Sequence, residues 1–247
     1  TSSKKAFKIS LVVATIFSLL QAVSGHSSAN VVAEHQPAKL AAMEGQWQNE
    51  KSADVYLLGW VDKEAQETQG LALPGFLHLL TGKETGKETI QGLKSFEPKN
   101  RPTALNAIFQ FYHIMVAIGF LLIGLTLLAI YYWYRGSLFE KRWLLKLFVP
   151  SVLLPQLANQ FGWYTAEMGR QPWVVYGHLR TSEALSEAVR AEHVWFSLIL
   201  FTLVYTLLLV LFLYLLNRKI QKGPADPTVE GPAPKRNVEP LIAPADD

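Results

Sequence analysis

The chain has 247 residues, of which 50% are hydrophobic, and a formal net charge of +3. This length allows one or two domains, and the hydrophobic residues are gathered in long uncharged runs, which is typical of membrane proteins. The small net charge gives no indication of nucleic-acid binding. Because the chain contains no cysteine, disulfides, cysteine-ligated zinc and iron–sulfur clusters are excluded. Any redox centre must therefore use histidine, methionine or carboxylate ligands.

The first predicted element is an apolar run at residues 9–23, preceded by Lys4, Lys5 and Lys8. A basic start followed by a short apolar core is typical of a cleavable signal peptide. The run is also just long enough, at roughly 20 residues with its flanks, for a spanning helix. The pattern alone leaves both interpretations open.

The next segment, residues 25–103, is polar and has no apolar run long enough to cross a membrane. Residues 38–47 have helical character, and Pro37 suits the first turn of such a helix. Residues 71–80 are apolar but too short to span, so we expect them to pack on the membrane surface. The sequence GKET occurs twice in succession at 82–89. Its spacing does not match a phosphate-binding loop, so we interpret it as a surface loop.

Three further spanning helices are predicted, at residues 104–134, 143–168 and 193–216. Aromatic residues crowd their ends, as in the interface belts of membrane proteins. Basic residues cluster between the first two of these helices and after the last, so the positive-inside rule places both regions in the cytoplasm. Residues 25–103 then face outward. The tail, residues 217–247, is rich in proline and charge and is predicted to be disordered.

One acidic residue, Glu167, lies at the end of the 143–168 helix, with Trp163 one turn earlier on the same face and Arg170 one turn later. A carboxylate on a spanning helix costs free energy, so it needs a proton, a cation, a metal or water as its partner. The pattern fits an ion pair at the membrane surface as well as a metal ligand. Met115, in the 104–134 helix, by itself indicates a core residue more than a ligand, because methionine commonly fills gaps in cores.

Three segments resemble motifs of a single family. Residues 162–173 read GWYTAEMGRQPW, residues 36–44 read QPAKLAAME and residues 113–119 read HIMVAIG. All three resemble segments of subunit I of cytochrome bd-type quinol oxidases, in the same order along the chain. The resemblance runs from residue 6 to residue 216 and corresponds to the C-terminal half of that subunit, in its form with a short quinol loop. It also favours a spanning helix over a signal peptide at 9–23.

The resemblance implies haem-related roles for four residues. Met115 resembles the iron ligand of haem b558, and Glu167 resembles the iron ligand of haem b595. Trp163 resembles a tryptophan that lies between haems and assists electron transfer. Arg170 is expected to pair with haem propionates, to which a guanidinium can donate two parallel hydrogen bonds.

The resemblance also implies a quinol site. Lys39 and Glu44 resemble the quinol-binding pair, in which a carboxylate accepts protons released when quinol is oxidised. Without the motif they would be interpreted as a solvated pair on a loop helix. The family often has arginine where this chain has His113. Because histidine titrates near pH 6.5, we expect the haem potential or the propionate charge to depend on pH.

For the whole chain, the resemblance implies an all-α membrane protein with four transmembrane helices and a large outward-facing loop between the first and second. The expected domains are a first helix (1–24), a quinol-binding loop (25–103), three helices with haem ligands (104–216) and a cytoplasmic tail (217–247). The implied activity is oxidation of quinol on the outer side of the bacterial or archaeal cytoplasmic membrane. Electrons pass through b haems to haem d, where oxygen is reduced to water, and a proton-motive force is generated.

The resemblance places the other ligands in an N-terminal half of the subunit, expected either as a separate chain or as a preceding segment. That half is expected to supply most of the haem d site. Oxidase subunit II, small single-helix subunits, membrane lipid and quinol are the other expected partners. The alternative hypothesis is a haem-free transport or scaffold protein in which Glu167 and Arg170 line a proton or ion path.

Overall fold

The computed structural model describes residues 2–81, 88–186 and 188–223. The chain divides into two units, Thr1–Leu185 and Ser186–Asp247. Most of the GKET repeat and the tail beyond residue 223 lie outside the described residues. The first unit contains helices α1 (Ser2–His35), α2 (Pro37–Met43), α3 (Phe76–Leu80), α4 (Leu105–Tyr134), α5 (Arg142–Ser151) and α6 (Leu154–Arg170), and strands β1 (Val55–Asp62), β2 (Glu67–Leu73), β3 (Trp173–Val175) and β4 (Leu179–Arg180). The second unit contains helix α7 (Ala191–Lys222).

Three helical segments among the described residues are long and apolar enough to cross a membrane. They are α1 (Ser2–His35), the segment Pro98–Tyr134 that contains α4, and α7 (Ala191–Lys222). They correspond to three of the four predicted spans. The first helix continues beyond the apolar run to His35, because nothing breaks it before Pro37, which begins the next helix. The last continues through its basic end to Lys222 and stops at Gly223, whose φ of 66° is left-handed.

The remaining predicted span, residues 143–168, is not one continuous helix. It consists of α5 and α6, separated by a turn at residues 152–153. Pro150 lies inside α5 and Pro155 lies in the first turn of α6. A proline ring has no N–H to donate and clashes with the preceding turn, so the hydrogen-bond ladder is interrupted here.

The all-α prediction is wrong in one respect, because the loop after α2 contains a β-hairpin. Strands β1 and β2 pair antiparallel from Val55 opposite Leu73 to Asp62 opposite Glu67. Its turn is closed by the Asp62 carboxylate, which accepts hydrogen bonds from the backbone N–H groups of Glu64 (2.8 Å) and Ala65 (3.0 Å). A second, shorter hairpin joins β3 and β4 after α6.

The apolar segment 71–80, which is predicted to pack on the membrane surface, is divided between two elements. Its first residues end strand β2, and Gly75, with φ of 69°, turns the chain into the short helix α3. Leu77 and His78 are buried, so this helix packs into the protein. The backbone N–H of Ala53 donates to His78 Nδ1 (3.3 Å), and His78 Nε2 donates to the Glu88 carbonyl oxygen (3.0 Å).

The main core of the first unit lies where α2, β1 and the first turns of α4 meet. Ile108 and Phe109 of α4 are fully buried there. Two polar side chains of α4 fix the hairpin to the helix. Asn106 accepts a hydrogen bond from the Val61 N–H (3.1 Å), and Gln110 donates to the Gly59 carbonyl oxygen (2.6 Å). The hairpin that follows α2 is therefore held on the end of α4 by both apolar packing and hydrogen bonds.

Candidate functional site

Helices α4 and α6, which carry two of the three motifs, pack against each other through Met115 and Gly162. A Cβ added at Gly162 would lie 2.7 Å from the Met115 sulfur, so this close approach needs a glycine. One turn earlier on α4, Phe111 stacks on Phe161, with ring centroids 5.5 Å apart, and lies 5.4 Å from Tyr164. Met115 is half-buried, with its thioether at the surface of α6.

Further along α6, Glu167 and Arg170 form an ion pair one turn apart, in which the guanidinium donates to Glu167 Oε2. Their side chains are 42% and 39% exposed. Trp163, on the same face, is 59% exposed. The carboxylate is therefore partnered but still accessible, which fits an interfacial ion pair and equally fits an available metal ligand.

Lys39 of α2 lies across the end of α6, beside this ion pair. A Cβ added at the buried Gly169 would lie 3.0 Å from Lys39 Cγ, so glycine lets the lysine stem cross the helix here. Burial and the neighbouring charge of Arg170 lower the pKa of Lys39, while the charge of Glu167 raises it. The structure thus brings the 36–44 motif together with the 162–173 motif.

Glu44 lies at the end of α2, where its backbone N–H donates to the Leu40 carbonyl oxygen (3.0 Å). Its side chain is 1% exposed, and Oε2 has no hydrogen-bond partner among the described residues. Burial raises the pKa of Glu44 from 4.5 to about 7, and the neighbouring Tyr112 hydroxyl partly opposes this shift. Glu44 is therefore a buried acid that can exchange a proton near neutral pH, and it is not a solvated partner of Lys39.

His113, at the position where the family often has arginine, is held against its own helix. Its Nδ1 donates to the carbonyl oxygen of Phe109 (2.8 Å), and the two rings stack with centroids 4.0 Å apart. Nε2 is buried without a hydrogen-bond partner in the described part of the chain. The His113 ring is therefore fixed on α4 by one hydrogen bond and one stacked neighbour.

Sequence reasoning did not single out three residues that the structure places at the candidate site. Tyr112 lies beside Glu44 and three residues before Met115 on α4. Gly162 and Gly169 are seven residues apart, hence on one face of α6, and each receives a side chain from another helix. Small residues spaced along one face are a known signal for close helix packing in membranes, so the two glycines could have been identified.

A haem is the metal group that the motifs imply. The side chains of Met115 on α4 and of Glu167 and Arg170 on α6 are compatible with it. No cluster of three or more metal-ligating His, Asp or Glu side chains occurs within the described ranges. Haem iron needs only one axial ligand on each side, and thioethers are among its ligands. Arg170 Nε is buried without a partner, so the guanidinium has a donor left for an anionic group such as a propionate.

Comparison with known proteins gives consistent matches over most of the chain. Residues 1–224 match the family model described as cytochrome bd terminal oxidase subunit I. The chain is 30% identical to cytochrome bd ubiquinol oxidase subunit 1 of Bacillus subtilis (strain 168), covering 89% of this chain and 49% of that protein. It is 28% identical to cytochrome bd-II ubiquinol oxidase subunit 1 of Escherichia coli (strain K12), covering 92% of this chain and 57% of that protein.

The fold is also similar to that of a solved structure, the bd oxidase from Geobacillus thermodenitrificans. The TM-score is 0.74 at 31% sequence identity, and the match covers 90% of this chain and 50% of that one. The chain thus spans about half the length of the relatives it matches.

Proposed function

This chain belongs to the cytochrome bd terminal oxidase subunit I family, and on that premise we propose that it forms the quinol-oxidising half of a membrane quinol:oxygen oxidoreductase. It corresponds to about half of its relatives' length, so the rest of subunit I must complete the enzyme. Quinol is oxidised at the outer side of the membrane. Haems b and d, when bound, would carry the electrons from quinol to oxygen, which the enzyme reduces to water while generating a proton-motive force.

The observation that carries this proposal is the contact of Lys39 with Gly169, beside Glu167 and Arg170. The motif of the quinol-type loop and the motif of the haem-type helix are far apart in sequence but form one site. A quinol bound at Lys39 would lie next to the helix that carries the proposed electron acceptor. Short separation of donor and acceptor is what electron transfer between them requires.

Glu44 is the proposed proton acceptor for quinol oxidation. A general base works best when its pKa is close to the working pH, and burial raises the pKa of Glu44 to about 7. Lys39 and Glu44 together are the proposed quinol-binding pair. Lys39 provides a donor for a quinol oxygen, and Glu44 takes a proton when the electrons leave.

The proposed haem ligands are Met115 for haem b558 and Glu167 for haem b595. Haem held by these residues would supply one-electron transfer, and the haem d site is proposed to lie mainly in the N-terminal half of the subunit. Arg170 is proposed to hold a propionate through its unpartnered Nε. The exposed indole of Trp163, one turn from Glu167, is proposed to lie between haems and to assist electron transfer.

The chain is an integral membrane protein, and we propose four crossings of the bacterial cytoplasmic (inner) membrane. Helices α1, α4 and α7 cross as single helices, and α5 and α6 cross together as one helix interrupted at residues 152–153. The loop from residue 36 to residue 104 faces outward, and the Arg135–Arg142 connection faces the cytoplasm with the C-terminal tail. The proposed partners are the N-terminal half of subunit I, subunit II and small single-helix subunits.

A reduced-minus-oxidised visible spectrum of the complex purified through a tag on this chain tests the proposal. We expect bands of low-spin and high-spin haem b and of haem d, and oxygen uptake driven by added quinol. A complex without haem would overturn the proposal and would favour a transport or scaffold protein. Haem bands without quinol-driven oxygen uptake would overturn the assignment of the quinol site.

A further inference from the structure

At the end of the molecule opposite the Lys39 site, α1 and α4 form an apolar groove with a basic rim. The groove has a volume of about 470 Å³ and is lined by Lys5, Lys8, Ile9, Val12, Val13 and Trp133. The side chains of Ile9, Val12 and Val13 are 67%, 39% and 47% exposed. Two ammonium groups therefore lie above an apolar wall.

The rim of this groove is held in place by aromatic rings. The Lys8 ammonium lies 4.9 Å from the centroid of the Trp133 ring, and the Lys4 ammonium lies 5.0 Å from that of Phe139. Phe7 contacts the Phe139 ring edge-on at 6.1 Å, which anchors the first turns of α1 to the connection after α4. Lys8 is thus positioned by the fold, because a cation over an aromatic face is stabilised there.

The charges at this rim are not neutralised by the described part of the chain. No described acidic side chain lies within 4.0 Å of the ammonium of Lys5 or Lys8. The neighbouring connection adds Arg135, Lys141 and Arg142, with Glu140 as its acidic residue. The groove therefore has an excess of positive charge that calls for an anionic occupant.

The groove runs along α1 from basic side chains to apolar ones, the order in which a phospholipid presents its phosphate and its acyl chains. Val13 lies about 12 Å further along the axis of α1 than Lys5, at 1.5 Å per residue. Lysines at a helix end and a neighbouring tryptophan are typical of the headgroup region, and the valines then lie in the hydrocarbon region. Basic pockets between spanning helices on the cytoplasmic side are known to hold anionic lipid headgroups.

We propose that this groove binds one anionic phospholipid, with its phosphate at Lys5 and Lys8 and an acyl chain along Ile9, Val12 and Val13. The inference goes beyond the oxidase function and does not depend on it. It requires only that α1 and α4 cross the membrane with their basic ends at one surface.

The test is native mass spectrometry of the complex, purified through a tag on this chain, delipidated and returned to nanodiscs of phosphatidylglycerol or phosphatidylcholine. We expect one phosphatidylglycerol to be retained in preference to phosphatidylcholine. Lys5→Gln/Lys8→Gln should weaken its binding roughly 30-fold, since each lysine near the surface contributes to the attraction of anionic lipid. Lys219→Gln/Lys222→Gln removes the same charge from the end of α7 and should leave it bound.

Two further variants distinguish lipid binding in the groove from attraction by general surface charge. They also test the proposal if the Lys5→Gln/Lys8→Gln complex does not assemble. Lys5→Arg/Lys8→Arg should retain the lipid, and Val13→Trp should displace it without changing the charge. Equal loss in the α7 control, or retention in Val13→Trp, would overturn the proposal. So would a photo-crosslinker at Ile9 that captures a polypeptide and no lipid, because the groove would then be covered by protein.

Discussion

The Glu44 carboxyl group is buried without a charged partner, so its protonation depends on the fold. Its pKa rises from 4.5 to about 7 in the folded state. The folded protein therefore binds more protons than the unfolded chain between these values, and stability falls as pH rises from 4.5 to 7. The integrated effect is at most about 3.4 kcal/mol, because one pKa unit corresponds to about 1.36 kcal/mol.

Glu44→Gln removes this titration while keeping the shape of the side chain. In the original protein, hydrogen exchange of residues 37–47 should be faster at pH 8 than at pH 5, after correction for intrinsic rates. In the variant, the corrected exchange rates should be nearly independent of pH. Quinol oxidation should fall sharply and lose its rise with pH, while all haem bands stay intact. Glu64→Gln, in the hairpin turn, is the control. Unchanged pH profiles, full activity with quinol or haem loss in Glu44→Gln would contradict the assignment.

Glu167→Gln tests whether that carboxylate is an iron ligand, because it keeps the shape but presents a weaker neutral donor. We expect the high-spin haem b band to shrink or disappear and oxygen reduction to fall at least about tenfold, a loss of about 1.4 kcal/mol in transition-state stabilisation. Arg170→Ala should weaken haem retention less, since exposed propionates are also solvated by water. Pigment quantification in purified complex is the measurement.

The matched control for this substitution is Glu183→Gln, which removes an exposed carboxylate that accepts a hydrogen bond from the Arg180 N–H (3.2 Å). It should leave haem content unchanged. Normal high-spin haem together with normal turnover in Glu167→Gln would mean that Glu167 is only the ion-pair partner of Arg170.

At the scale of elements, the packing of α4 on α6 depends on the absence of a side chain at Gly162. Gly162→Ala would place a methyl group 2.7 Å from the Met115 sulfur, so the methionine or the helix must move. We expect the low-spin haem b band to shift or broaden with the protein still assembled. The same substitution at Gly119 meets no atom within 4 Å.

Gly119→Ala is therefore the control and should leave the spectrum unchanged. It should be neutral or stabilising by up to about 1 kcal/mol, because alanine has the higher helix propensity. Met115→Leu, which keeps the volume without the sulfur, should abolish the low-spin signal. A low-spin band identical in Gly162→Ala, Met115→Leu and the original protein would exclude Met115 as the ligand.

At the scale of the whole molecule, the proposed crossing by α5 and α6 can be mapped with cysteine labels, because the chain contains no cysteine of its own. Glu64→Cys and Ser182→Cys should react with a membrane-impermeant maleimide in intact cells, and Ser137→Cys should react only after permeabilisation. Labelling of Ser137 and Ser182 from the same side would show that α5 and α6 do not cross the membrane. Each variant's haem content serves as the control for assembly.

The sequence by itself determined the three long helices and the identity of the motifs. Uncharged apolar runs can satisfy their backbone groups in a membrane only as helices, so composition alone predicts α4 and α7. For α1 the pattern left a signal peptide equally open, and the family resemblance favoured the spanning helix. The interruption between α5 and α6 was not predicted, although both prolines are visible, because the apolar pattern continues through them. The β1–β2 hairpin was not predicted either, since its strand sequences, VYLLGWVD and ETQGLAL, show no regular alternation of apolar and polar residues.

Only the tertiary structure decided which side chains meet. Lys39 lies close enough to Glu167 and Arg170 for their charges to shift its pKa, because Gly169 lets its stem cross the end of α6. Glu44 lies five residues from Lys39 on what the sequence suggested was a solvated loop helix, yet it is buried against Tyr112. The physical reason is that burial and charge proximity depend on contacts between residues distant in the chain, whereas helix formation in an apolar run depends on neighbours along it.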